Sequence, residues 1–509
     1  MVCQRLSRKR KICIGIGICG LILIVSGSVL GPMVNYQVDR KLKEMMPLVN
    51  GTKTYTYWLD PPIPIDFQFY FFHVVNPREV VEEGLKPVVE ERGPYTYRLI
   101  DKKENLKHCD DFTVSYDERE IFVFQRDLSI GDENDIFTTL NLPLITATSL
   151  ISNEYAFIKE MTKLFFEITQ DANLFLPLSV KDLIWGYTDP MMAAVKRIFD
   201  IFDLPFEDRF GFFYNLNNTI TNNFSVFTGE DDLVKLSKFT KWNGVSELSF
   251  WTTHECNMLN GTDGNLFHPH ISEEEQLYIF FPQVCRSFFL SFEERGEFKG
   301  VDYSRFVMKD EIFKNAADNP SNAGFCTPPH NCLPSGLLNA TICRKGAPVI
   351  MSQPHFLGAD QSIIDSIDGI YPNRNLHETY IDLVPLTGTL VRTQRTTQIN
   401  IFIKNTPYIR QTQTIKYLYF PVMFIKETAS LTDDLAEEFR NELQIPLKVV
   451  FYTQYVCMGL GGGMILLCAC WLLGIIRSEK VAKGIYGNIR VNDECTKLLS
   501  SEQDKNNVQ

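Results

Sequence analysis

Two long apolar runs, one near each end of the chain, constrain the fold more than any other feature. Ile12 to Val34 reads ICIGIGICGLILIVSGSVLGPMV, and Val449 to Ile476 reads VVFYTQYVCMGLGGGMILLCACWLLGII; neither contains a charged residue. A helix of about 20 mostly apolar residues crosses the ~30 Å hydrocarbon layer while satisfying its own backbone groups. Both runs are long enough, and they predict transmembrane helices at 12–34 and 449–476. Arg5, Arg8, Lys9, Arg10 and Lys11 precede the first run; Arg477, Lys480, Lys483 and Arg490 follow the second. Short basic flanks stay in the cytoplasm. Residues 1–11 and 477–509 are therefore expected as cytosolic tails, with 35–448 held on the lumenal or extracellular side. Arg40, Lys41 and Lys43 weaken the contrast across the first helix. A cleaved signal peptide is the alternative for that helix, given the small residues Ser26-Gly27-Ser28. Its apolar stretch runs on to Val34, longer than a usual signal core.

The net charge of −12 hides a partition. The first 34 residues contribute +5 and the segment from Arg477 contributes +1, which leaves −18 for the intervening segment. An acidic domain argues against nucleic-acid binding and suits a lumenal or extracellular setting, where charge aids solubility. The segment is long enough to bury a large core. It contains no low-complexity linker and no internal repeat, so it reads as one large domain.

Cysteines and sequons indicate the compartment. Cys3, Cys13, Cys19, Cys457, Cys468, Cys470 and Cys495 lie in or near the apolar runs or in the tails. Between the runs, Cys285, Cys326, Cys332 and Cys343 cluster in a proline-rich stretch, with Cys109 and Cys256 upstream. In an oxidising compartment such clustering reads as disulfides. His330 between Cys326 and Cys332 matches no common zinc spacing, and no metal or other cofactor is expected. Asn50, Asn217, Asn223, Asn260 and Asn339 each begin an N-x-S/T sequon, and all lie between the runs. A glycan there requires a surface position. Cys3, beside the basic cluster, is either a palmitoylation site or an unmodified thiol.

The intervening domain reads as mainly β, with a small helical cap near 150–210. Strands are expected at Thr52–Leu59, at Ile65–His73 where alternation is apolar on both faces, and after a Gly93-Pro94 turn. Others are expected at Glu120–Arg126, Gln276–Phe281, Arg286–Phe292, Gln398–Lys404 and Lys416–Ile425. In Asn153–Gln170, apolar residues from Phe157 to Ile168 recur at helical spacing. Further helices are expected at Val180–Gly186 and Pro190–Phe202. Val38–Leu48 extends the first membrane helix. Thr432–Leu443, with Asp433 and Asp434 in its first turn, forms a helix just before the second.

Four separate stretches, in order, carry a resemblance: RGPYTYR (Arg92–Arg98), LIWGYTDP (Leu183–Pro190), CLPSGLLNAT (Cys332–Thr341) and SQPHFLGAD (Ser352–Asp360). They look like the signature stretches of the class B scavenger receptor family, and the likeness runs through nearly the whole chain. It implies an α+β membrane protein: a large lumenal antiparallel β-barrel with a helical-bundle cap, anchored by two transmembrane helices. It also implies a hydrophobic tunnel, with lipids such as cholesterol or fatty acid, lipoproteins or other proteins as ligands, and oligomers as an open question. The cysteine spacing is closest to the lysosomal branch. That likeness implies Cys285–Cys343 and Cys326–Cys332 bonds, with Cys256 free unless Cys109 reaches it.

The tail carries Glu494, three spacers, then Leu498 and Leu499, similar to the branch's acidic dileucine signal. An acid and an apolar pair on a flexible tail suit a sorting adaptor, which points to lysosomes or late endosomes rather than the plasma membrane. On the cap, Tyr155, Lys159, Lys163 and Phe166 are candidate ligand-binding residues. The lysosomal relative carries a hydrolase, glucocerebrosidase, on its cap under the control of a titrating histidine; Asn153–Gln170 has no histidine, which puts that role in doubt. Against an enzyme, no phosphate loop, HExxH or GxSxG occurs, no catalytic residues are expected, and His355 reads as structural. Against an ion channel, the apolar runs hold few polar residues, near their ends. Gly27-x-x-x-Gly31 and Gly459-x-x-x-Gly463 are spaced for close helix packing or are ordinary small residues.

Overall fold

The computed structural model describes residues 2–151, 173–201, 207–344, 346–405, 410–415 and 417–503. The expected cap helix at Asn153–Gln170, with Tyr155, Lys159, Lys163 and Phe166, lies outside them. The chain divides into a helical unit, Met1–Lys41 with Glu437–Gln509, and a body, Leu42–Ala436.

The helical unit holds both apolar runs, in helices Val2–Met45 and Ile445–Gln503. Each is long and apolar enough to cross a membrane. They pack antiparallel along a seven-residue step. Buried Cys13, Gly20 and Gly27 meet Cys468, Gly461 and Gln454 in turn. A Cβ on Gly20 would sit 2.8 Å from the Gly461 carbonyl oxygen, so only a bare backbone allows this approach. The close-packing glycine of the second helix is therefore Gly461, while Gly459 and Gly463 have nothing within 4 Å of an added Cβ. The second helix is continuous through Gln503, so Glu494, Leu498 and Leu499 lie on helical backbone rather than on a flexible tail.

The body is built on one antiparallel sheet. Its main path has eleven strands: β1 Ile65–Val74, β2 Val89–Cys109, β3 Thr113–Phe124, β4 Thr219–Phe227, β5 Phe239–Trp242, β6 Leu277–Phe281, β7 Arg286–Phe298, β8 Val301–Val307, β9 Tyr380–Val384, β10 Thr389–Ile403 and β11 Leu418–Ser430. They pair in the order β6-β7-β8-β9-β10-β11-β1-β2-β3-β4-β5. Every neighbour is the next strand of this path in sequence except β11 and β1, whose pairing wraps the ladder on itself. A short hairpin, Leu338–Asn339 with Val349–Ser352, extends β10.

The wrap leaves β5 and β6 as edges, and residues Gly261–Thr262 bridge them. Phe239 N–H donates to the Gly261 carbonyl at 2.9 Å, Thr262 N–H to Tyr278 at 3.1 Å, and Phe280 N–H to Thr262 at 3.0 Å. The rings of Phe239 and Trp242 meet Phe280 at 5.9 and 5.3 Å across the same seam. The bridge nearly closes the barrel and covers part of the two strand edges. Gly261 has φ +89°, and an added Cβ would lie 1.9 Å from the Tyr278 oxygen.

Two expected elements differ. Thr52–Leu59, rich in β-formers, folds as a helix at Lys53–Leu59, because Thr52 caps it by accepting Tyr55 N–H at 3.1 Å. Trp58 then buries edge-on against Tyr116, 5.0 Å between centroids. Gly93-Pro94 makes no turn: β2 runs through it, and the β1–β2 register shifts between Phe69 and Phe71, so the glycine serves a bulge. The helices Val180–Trp185 and Pro190–Ile201 form close to the expected positions.

Gly261→Ala should destabilise the protein by about 2 kcal/mol or more, since strain and a backbone clash add. Gly244→Ala, at φ +85° with nothing within 4 Å, should cost about 1 kcal/mol. Thermal melts of the two variants test the seam. In the helical unit, Cys13 Sγ lies 2.9 Å from Cys468 Sγ. Mild oxidation should cross-link them, and Gly461→Leu should lower the yield on non-reducing gels after proteolytic cleavage between the helices.

Candidate functional site in the barrel interior

Alternation along β1, β2 and β3 puts one residue in two on the inner face. Registered pairs share a face: Phe67 with Tyr97, Tyr97 with Phe124, Leu99 with Phe122. Their rings touch in one connected cluster. Phe69 meets Tyr97 at 5.5 Å and Phe213 at 5.4 Å; Phe122 meets Phe67 at 5.3 Å and Phe213 at 5.5 Å; Trp185 meets Tyr97 at 5.3 Å. Mostly edge-to-face and tilted contacts of this kind add to the stabilisation from burial. The cluster absorbs two of the sequence stretches. Tyr95 and Tyr97 come from RGPYTYR, and Trp185 from LIWGYTDP. In the latter, buried Asp189 caps the helix Pro190–Ile201 by accepting the N–H groups of Met191 and Met192, both at 3.0 Å.

Farther along the same strands the inner face becomes charged. Asp101 registers with Glu120, and Lys103 with Glu118. On the other side Arg395 registers with and bonds Glu427. The Lys103 ammonium is 2.8 Å from Asp101 and lies over the rings of Trp58 and Tyr116 at 5.3 and 5.6 Å. Glu118 accepts from Asn222 Nδ2 at 2.8 Å, and Asn222 in turn accepts from Trp242 Nε1 at 3.0 Å. Arg395 also donates to the Asp263 carbonyl at 2.6 Å. The Asp263 carboxylate acts electrostatically on Lys103 and Arg395, so five carboxylates, with those of Asp101, Glu118, Glu120 and Glu427, share two cations.

Burial and this excess of negative charge set the titrations. Burial, then the Asp101 charge, pushes Glu118 up to about 7. Burial and neighbouring Glu118 hold Glu120 well above the usual carboxylate range. For Lys103, burial opposes the charge, but Asp101 and Asp263 outweigh it and raise its pKa. Glu118 and Glu120 keep some accessible surface although protein surrounds them.

The histidine of SQPHFLGAD is fully engaged. Buried His355 has Nε2 2.6 Å from Glu91, accepts Tyr371 N–H on Nδ1 at 3.0 Å, and stacks on His377 at 4.7 Å. The Ser352 hydroxyl donates to the Gln353 carbonyl and accepts from Asn400, both at 3.0 Å. The serine hydroxyl and the histidine ring thus have different partners, and Gln398 links the two residues by accepting His355 N–H at 2.6 Å and donating to Asn400 at 2.7 Å.

The structure closes Cys285–Cys343 and Cys326–Cys332. The open Cys109–Cys256 pairing does not form: Cys109 is an exposed free thiol and Cys256 a buried one. Of the sequon asparagines, Asn50, Asn217 and Asn223 are exposed, and Asn260 and Asn339 half-buried.

Glu118 dictates a pH dependence. Its ordinary value is 4.5 and its folded value about 7, so between the two the native state binds a proton that the unfolded chain lacks. Stability from this group therefore rises as pH falls through that window. Thermal melts from about pH 7 to about pH 5 should show the rise, and Glu118→Gln should flatten it.

A profile of the CD36 family matches residues 18–472, from within the first apolar run to within the second. Lysosome membrane protein 2 of Mus musculus is 38% identical over 444 residues, covering 87% of this chain and 90% of its own. The Homo sapiens protein of that name is 37% identical over the same length, with the same coverage. Scavenger receptor class B member 1 of Bos taurus is 33% identical over 481 residues, covering 94% and 92%. Barrel, flanking apolar helices and these matches agree: the chain belongs to the CD36 family.

Proposed function

We propose that this chain is a two-pass receptor of the lysosomal or late endosomal membrane whose barrel binds an apolar lipid and passes it to the bilayer. The observation that carries the reading is the connected aromatic cluster inside a closed barrel. Phe67, Leu99, Phe124, Trp185 and Phe213 are only partly buried there, which suits a surface kept for a ligand such as cholesterol or a fatty acid. The likeness to proteins named lysosome membrane protein 2, together with Glu494, Leu498 and Leu499, favours lysosomal sorting through an adaptor. The rise in stability toward acid expected from Glu118 suits the same compartment. Both termini would be cytosolic, and Asn50, Asn217, Asn223, Asn260 and Asn339 the lumenal glycosylation sites. A ligand surface at Tyr155, Lys159, Lys163 and Phe166 completes the proposal. Carriage of a hydrolase there would need pH control from a group other than histidine within 153–170.

The competing location, the plasma membrane, follows from likeness to scavenger receptor class B member 1, and one experiment separates the two. Replacing Leu498 and Leu499 with alanine should move the full-length protein from lysosomes to the cell surface, read by surface biotinylation. An unchanged distribution would remove the sorting argument. Independently, Leu99→Trp should fill space beside Phe122 and lower lipid delivery to the membrane at normal expression, measured with a fluorescent sterol. Delivery at the wild-type rate would sink the lipid reading.

A further inference from the structure

Beside the two disulfides the body holds a cavity of about 40 Å³, with walls that include Trp251, Arg286, Lys314, Asn322, Phe325 and the Cys326–Cys332 bridge. No residue lining it is acidic, in a segment whose net charge is −18. Arg286 is 6% exposed. Its Nη2 donates to two neutral acceptors, the Ile312 carbonyl at 3.3 Å and Asn322 Oδ1 at 3.0 Å. Its Nε, fully buried, has no hydrogen-bond partner. Phe325 covers the guanidinium at 3.5 Å and Phe288 lies at 5.3 Å. Aromatic faces attract a cation but accept no full hydrogen bond from it. Among the described residues, no carboxylate pairs with Arg286, and none pairs with Lys314.

A buried charge without a counterion is costly, and proteins ordinarily pair it. Here burial pulls Arg286 down only to about 9, so it stays protonated at any pH of the lumen. Buried Cys256 interacts with it electrostatically. Lys314 is the other charged residue of the wall, which is otherwise neutral. The space is adequate for an occupant the size of a water molecule or a small ion.

We propose that this cavity is a site for a small monovalent inorganic anion, chloride, held by the Arg286 guanidinium with Lys314 as the second cation. The anion supplies the missing countercharge and locks the disulfide-clamped segment onto β7. Its dependence on lumenal chloride would make the stability of this region sensitive to the ionic content of the compartment.

The test uses the full-length protein in lipid nanodiscs, with sodium chloride exchanged for sodium gluconate at constant ionic strength. The thermal midpoint should rise saturably with chloride, and bromide should substitute. Lys314→Gln should shift the half-saturating chloride concentration upward by about fivefold, as expected for losing one partly exposed charge partner. Arg286→Gln should abolish the response. If Arg286→Gln fails to fold, the Lys314→Gln titration and the bromide substitution still decide. Equal midpoints in chloride and gluconate would overturn the proposal. So would a chloride response unchanged in Lys314→Gln, which would mark a general salt effect. A response lost in Cys256→Ser but kept in Lys314→Gln would assign the countercharge to the thiol and likewise overturn it.

Discussion

An antiparallel ladder of eleven strands has two edges, and the interior of this protein exists only because those edges are joined. β5 and β6 do not pair with each other. Gly261 and Thr262 lie between them and take one set of hydrogen bonds from each side. The left-handed φ of Gly261 and the close Tyr278 oxygen leave room for a backbone and nothing else. With the seam closed, the inner faces of β1, β2 and β3 leave bulk solvent. The aromatic cluster is then a sheltered surface rather than an exposed patch, and the Glu118 and Glu120 carboxylates become hard to ionise.

The same strands carry both halves of that interior, so the change from apolar to charged occurs within two residues. On β2 it falls between Leu99 and Asp101, on β3 between Phe122 and Glu120. One half suits the hydrocarbon part of a ligand. The other responds to pH, because several carboxylates share two cations. Trp58, on the capped helix Lys53–Leu59, packs against Tyr116 and under Lys103 and so ties the charged half to the segment that follows the first apolar helix.

Much of the fold was legible in order of residues. Period-two alternation marked β1, and helices were expected at 180–186 and 190–202, close to where they form. The misreadings have local physical causes. Thr52–Leu59 is β-prone by composition, yet one capping hydroxyl and the burial of Trp58 outweigh that preference. Gly93-Pro94 suggests a turn, but the same backbone freedom serves a bulge within a long strand. The charged half of the interior was not legible at all. On β2, Lys102 is exposed while Asp101 and Lys103 are sheltered. With charges on both faces, alternation cannot say which face turns inward. Arg286 was hidden for a related reason: its neighbours in the cavity come from segments up to about fifty residues away.

The sequence by itself determined the apolar helices, the acidic segment between them, the clustered cysteines and the family likeness, because each is a property of contiguous residues. Tertiary structure alone decided that Gly461 rather than Gly459 or Gly463 meets the first helix, and that the Ser352 hydroxyl and the His355 ring take different partners. It also decided that Cys109 and Cys256 stay free, and that seven ionisable groups from distant segments share one interior. These depend on register and closure, and register is set only when all strands compete for one barrel.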